Sequence, residues 1–231
     1  IENQTYTSVA TADSHKKDTE DSNQYIAFSD GVIRYSRDGV VFLNKRNKEK
    51  WIQPCQIQNP IVDVNEDVFA IADVGGNTIM IFQKSGLKGE IETTLPIEKI
   101  SVSNQGIVSA ILKNESTPQI ISYDAVGNIL VEHQVNLNST GYPISLDMSA
   151  DGENLMVSYL STKNGTLKSM VAFYNFGKEG QEKTDNLIYT EDFEQTVVPD
   201  VFYMDASTSV AVGDKSFVIY EGTKSVKKKT E

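Results

Sequence analysis

From Gln24 onward the chain alternates short apolar runs with Asp-Gly, Asn-Gln-Gly and Lys-Ser-Gly punctuation, a period-two pattern that predicts β-strands. Four runs open on proline: Pro60-Ile-Val-Asp-Val, Pro96-Ile-Glu-Lys-Ile-Ser-Val, Pro143-Ile-Ser-Leu-Asp-Met and Pro199-Asp-Val-Phe-Tyr-Met. Proline lacks an N–H, which a strand tolerates at its first residue. A polar turn follows each run, and then a nearly continuous apolar stretch at 68–72, 107–112, 155–160 or 210–212. Such stretches belong to strands covered on both faces. A third strand carries an aromatic at 78–82, 119–123, 169–174 or 217–220. A more polar fourth strand lies at 89–94, 128–135 and 186–193. Glycine stands four residues after an aromatic in Tyr35/Gly39, Phe82/Gly86, Tyr123/Gly127 and Phe173/Gly177. It is expected to close a hairpin through positive φ.

Both signals recur every ~35–55 residues, the period of an all-β β-propeller with four-stranded antiparallel blades. The blades are expected at 24–59, 60–95, 96–142, 143–198 and 199–231, after a polar leader over 1–23. The first lacks a proline-led opening strand, and only Lys227-Lys228-Lys229 can serve as the fourth strand of the last. Either the weak alternation Thr5-Tyr6-Thr7-Ser8-Val9 closes a five-bladed ring, or the chain is the N-terminal part of a larger one. The second is the expectation, because a chain that stops within a blade leaves an open edge.

With 231 residues, 39% of them apolar, the chain can bury a sizeable core without covalent staples. A net charge of −11 repels phosphate backbones and argues against nucleic acid as a partner. The three C-terminal lysines read as a solvated strand edge or frayed end. The single cysteine, Cys55, rules out an internal disulfide and reads as a packing residue. Of the two histidines, His15 lies in the leader, and His133 reads as a solvent-facing strand residue. The start at Ile1 without methionine reads as a boundary from which an upstream signal or anchor has been removed.

Residues 24–51, with Asp38-Gly39 and the charged turn ending in Lys50-Trp51, resemble a quinoprotein-like or WD-type propeller repeat. Histidine-led blade starts and Trp-Asp endings are missing, which disfavours an intracellular WD-type scaffold. More specifically, 24–222 resembles an uncharacterised family of Firmicutes proteins, a domain of unknown function. The resemblance rests on Asn59-Pro60-Ile61-Val62-Asp63-Val64, Thr94-Leu95-Pro96-Ile97, Tyr123-Asp124-Ala125-Val126-Gly127-Asn128 and Ala211-Val212-Gly213-Asp214. It implies an extracytoplasmic, cell-surface propeller tethered to the bacterial membrane by an N-terminal helix that this sequence lacks. It brings no catalytic residues and no cofactor.

Asp63, Asn65 and Asp67 open like a calcium loop, but Val68 and Val74 occupy the positions that need glycine and glutamate. A turn between strands explains them, and no metal, cofactor or catalytic residue is assigned. The enzyme alternative is carboxylate-dependent glycan processing by Asp63, Asp147 and Asp200 on the innermost strands. These acids follow their prolines by three, four and one residues and therefore share no register on this reading. The expected function is non-catalytic binding of a protein, peptide or glycan on a ring face, with the loops 162–165 and 177–185 as the contact surface.

Overall fold

A computed structural model describes residues 23–163, 165–223 and 225–230. The expected leader, including Thr5–Val9 and His15, lies outside the described residues except for Asn23. The rest forms five four-stranded antiparallel sheets, each a meander of consecutive strands. The first sheet holds β1 (Gln24–Phe28), β2 (Gly31–Ser36), β3 (Gly39–Asn44) and β4 (Glu49–Pro54). The second holds β5 (Pro60–Asn65), β6 (Val68–Asp73), β7 (Thr78–Gln83) and β8 (Gly86–Glu92). In the third are β9 (Ile97–Val102), β10 (Val108–Leu112), β11 (Gln119–Tyr123) and β12 (Ile129–Gln134). The fourth comprises β13 (Tyr142–Met148), β14 (Asn154–Lys163), β15 (Thr166–Asn175) and β16 (Leu187–Glu194). The fifth comprises β17 (Asp200–Tyr203), β18 (Thr208–Val212), β19 (Phe217–Glu221) and β20 (Lys227–Thr230). Between β15 and β16 sit a short helix, α1 (Lys178–Gln181), and a 3-10 turn (Thr184–Asn186).

The structure completes the first and the last blade. The first blade is complete: β1 opens it without a proline, turning into β2 through Ser29 at φ 52° as β5 turns into β6 through Glu66 at the same φ. The fifth is also complete, because the lysine cluster is its fourth strand. The aromatic–glycine signal is also less uniform than its spacing suggests. In every blade the pairing of the third and fourth strands carries a bulge beside the aromatic: Phe42/Leu43, Ile81/Phe82, Ser122/Tyr123, Phe173/Tyr174 and Ile219/Tyr220. Gly86 and Gly127 then supply the left-handed turn residue, at φ 123° and 88°. In the first blade Asn47 takes that role at φ 56°, which asparagine tolerates, so Tyr35/Gly39 marks the β2–β3 hairpin instead. Gly177 leads into α1 with ordinary negative φ.

The core consists of layers between consecutive sheets. Phe28, Ile33, Val40 and Phe42 meet Phe69, Ile71 and Phe82. Trp51 closes this layer, stacking on Phe82 at 5.2 Å and donating its indole N–H to the Lys84 carbonyl at 3.0 Å. Three further layers join the second sheet to the third, the third to the fourth and the fourth to the fifth. Each buried Val, Ile or Phe contributes about 1.5–3 kcal/mol, and the aromatic pairs somewhat more. Among the described residues, no such layer joins the fifth sheet to the first.

Candidate functional site

The innermost strands β5, β9, β13 and β17 lie side by side and carry the three acids singled out by the sequence. Asp63 pairs across its sheet with Ala70, and Asp147 with Met156. A bulge between Pro143 and Ser145 absorbs the extra residue between proline and acid, so Asp63 and Asp147 share a register after all. Ser101, paired with Ser109, occupies the same position in the third sheet.

Each of these side chains reaches the next inner strand. Asp63 accepts the Val102 N–H at 2.7 Å, Ser101 Oγ accepts the Met148 N–H at 3.0 Å, and Asp147 accepts the Tyr203 N–H at 2.6 Å. The Ser101 hydroxyl also donates to Asp147 at 2.8 Å. Asp200 lies outside this register; it accepts from Ser145 Oγ at 3.1 Å and from its neighbour Val201 N at 3.0 Å. Burial pushes the Asp147 carboxyl up to about 6, opposed by the Tyr203 N–H and reinforced by the nearby Asp63 charge. Asp63 is raised by burial too, against the bonds from Val102 and Ser101. The two acids hold blades together, which accounts for their position on the inner strands without substrate chemistry.

The remaining sequence candidates scatter. Asn65 ends β5 and Asp67 lies in the turn to β6. Among the described residues, no group of three or more His, Cys, Asp or Glu side chains could hold a metal ion. Cys55 is half-buried in the linker after β4, its thiol raised mainly by burial. The loops 162–165 and 177–185 do not form one surface. Of the first, Thr162 and Lys163 end β14 where it pairs with the start of β15; the second leaves the far end of β15, and antiparallel pairing puts the two at opposite ends of the sheet.

His133 overturns its expected place in solvent. It is half-buried, its ring 4.9 Å from Tyr174 and 6.4 Å from Phe176, and its Nε2 is buried without a hydrogen-bond partner among the described residues. Burial lowers its pKa, with Asp185 acting in the opposite direction. It lines a cleft of about 540 Å³ between the third and fourth sheets, together with Tyr159, Met170, Tyr174, Asp185 and Leu187. The Tyr159 and Tyr174 hydroxyls hydrogen-bond at 2.7 Å, and burial raises both their pKa values, keeping them neutral.

The wall over the cleft is the insertion carrying α1 and the 3-10 turn. Asn175 anchors it by accepting the Gly180 N–H at 3.0 Å while its own amide donates to Asn154 at 2.8 Å. A Cβ at Gly180 would overlap the Asn175 carbonyl oxygen, so only glycine fits there. Asp185 and Asn186 adopt left-handed φ of 55° and 59° at the insertion's end. The cleft therefore joins an aromatic and apolar wall to neutral hydroxyls and an imidazole. Among the described residues, no hydrogen bond pairs a nucleophile with a base there, and the arrangement suits binding.

Sequence reading did not single out Tyr159, Met170 or Tyr174. One signal was present: His133 has the parity of Val131 and Val135, which puts it on the apolar face of β12.

Four-stranded antiparallel sheets packed in sequence around their first strands define a β-propeller. The chain belongs to DUF5711, a family of unknown function, whose model matches residues 2–231. No curated protein matches it. Among solved structures it is similar to WD40 propellers. The Pan2 WD40 domain of Neurospora crassa superposes with a TM-score of 0.58 at 13% identity, covering 89% of this chain and 63% of that one. Hsv2p of Kluyveromyces lactis gives 0.59 at 10% identity, covering 90% and 71%. BBS1N, solved in complex with ARL6DN, gives 0.54 at 12% identity, covering 81% and 58%. The chain thus spans less than two thirds of the length of the Pan2 domain.

Proposed function

We propose that this chain is a non-catalytic binding propeller on the extracytoplasmic side of a bacterial membrane, tethered by a helix ahead of Ile1, and that it holds a protein segment in the cleft between its third and fourth blades. The observation that carries the reading is the departure of the fourth blade from the repeat. Its middle strands run to ten residues where the others have five or six, and its outer turn becomes the insertion that walls the cleft. In repeat proteins, insertions in single repeats gather where a partner binds. A protein partner fits a cleft with aromatic walls and neutral polar groups, and one similar propeller was solved holding a protein. The membrane-side placement is supported by the resemblance of 24–222 to tethered surface proteins. Glycan processing is disfavoured because Asp63 and Asp147 are engaged by backbone N–H groups of the neighbouring blades.

The test is photo-crosslinking in intact cells with the full-length protein. A photoreactive phenylalanine analogue at Leu187 should give a discrete protein adduct, and the same residue at exposed Glu115 should not. Equal adducts at both positions, or none at Leu187, contradict the proposed site. Placement is tested with a cysteine at position 115 in a Cys55→Ser background. A membrane-impermeant maleimide should label it in intact cells, and labelling only after lysis contradicts the extracytoplasmic reading.

A further inference from the structure

Cations are outnumbered in this chain by 32 acids to 21 Lys and Arg, yet four of them line one pocket. Lys45 and Arg46 come from the β3–β4 turn, Lys50 from β4, and Lys84 from the β7–β8 turn of the next blade. Asp30 is the single acid among the lining residues, its carboxylate 2.7 Å from the Lys84 ammonium. The cavity measures about 490 Å³ and has the buried Phe42 in its wall. All four cations are exposed, and one of them, Lys84, is ion-paired with Asp30.

The frame beneath them is fixed. Asn44 Oδ1 accepts the N–H groups of Arg46 and Lys48 at 3.0 and 3.1 Å, which holds the β3–β4 turn. Trp51 ties the other side by its bond to the Lys84 carbonyl and its stacking on Phe82. Two turns from separate blades are thus held against each other, with basic side chains from both directed at one space. A single turn with scattered lysines would be an ordinary solvated surface. Four cations against one acid, on a protein of net charge −11, create a local field opposite to that of the whole molecule.

We propose that this pocket between the first and second blades binds a phosphate-bearing ligand, with Lys45, Arg46, Lys50 and Lys84 as the oxyanion contacts. Arginine forms paired hydrogen bonds to phosphate, and the lysines add point charges around it. Asp30 is ion-paired with Lys84 and competes with the ligand for it. The site uses residues of the first two blades only and does not depend on the protein-binding cleft.

The test titrates the chain with sodium tripolyphosphate by calorimetry at low salt, and separately sediments it with phosphatidylglycerol vesicles against phosphatidylcholine vesicles. Saturable tripolyphosphate binding without vesicle retention identifies a soluble phosphate as the source. Vesicle retention that tripolyphosphate reverses identifies a lipid headgroup. In either arm the K45E/R46E variant should weaken binding at least ~10-fold, since two charge-assisted contacts are reversed. Asp30→Asn should tighten binding about 3-fold or more, by removing the competing carboxylate. A thermal melt of each variant confirms that it remains folded. Saturable binding in neither arm overturns the proposal, as does binding that K45E/R46E retains or that Asp30→Asn weakens.

Discussion

Asp147 is pulled in opposite directions by burial and by the hydrogen bonds it accepts. In the unfolded chain its carboxyl titrates near 3.8, and in the folded chain at about 6. Between those values the folded state holds the extra proton. The stability this group supplies is therefore complete below about pH 4 and lost as pH rises through 6, up to roughly 3 kcal/mol in all. Asp147→Asn should remove most of that loss, so urea midpoints at pH 4.5 and pH 7 should differ less in the variant than in the parent. An unchanged pH dependence would show that Asp147 does not carry the effect. The acids themselves were visible in the sequence, but their shared register was not. The bulge at Pro143–Ser145 depends on the pairing of β13 with β14, which spacing from a proline does not reveal. His133 is the opposite case: the solvent-facing reading rests on alternation with apolar neighbours, whereas positions 131, 133 and 135 share one parity and one face.

Strand order and the hairpins were the most legible elements, because alternation and turn residues act locally. The aromatic–glycine signal proved to mark the outer-hairpin bulge of the second and third blades, and it failed where another residue took the left-handed position. Asn47 does so in the first blade, while the insertion displaces the turn in the fourth. Contacts between blades were not legible, since they join residues distant in sequence. Gly89 is one such case: it lies on β8, and a Cβ there would overlap the Ala125 carbonyl oxygen of the third blade. Gly89→Ala should thus force the two blades apart and cost about 1–3 kcal/mol in chemical denaturation, the range for overpacking. A variant as stable as the parent would mean that the outer hairpins do not touch in solution.

Among the described residues the five sheets form a stack in which the first and the fifth each pack against one neighbouring sheet only. On the first, Tyr25 and Ile52 are 50% and 56% exposed on the side turned away from the second sheet. On the fifth, Phe202 and Phe217 are 38% and 54% exposed on the side turned away from the fourth. Phe217→Ser should therefore change stability by no more than about 0.5 kcal/mol. Tyr220→Ala, three residues on and therefore facing the fourth sheet, should cost about 3–5 kcal/mol. A large loss at Phe217 would mean that something packs on that face.

That the five blades, as far as the described residues go, stand as an open arc is the central structural claim, because it sets which surfaces are available to a partner. It is tested most directly by the distance between spin labels at positions 52 and 217, introduced as cysteines in a Cys55→Ser background. The open arc predicts a distribution centred beyond ~20 Å, two sheet spacings. A single narrow distance near one spacing, ~10 Å, would show the first and fifth blades packed face to face and would contradict it.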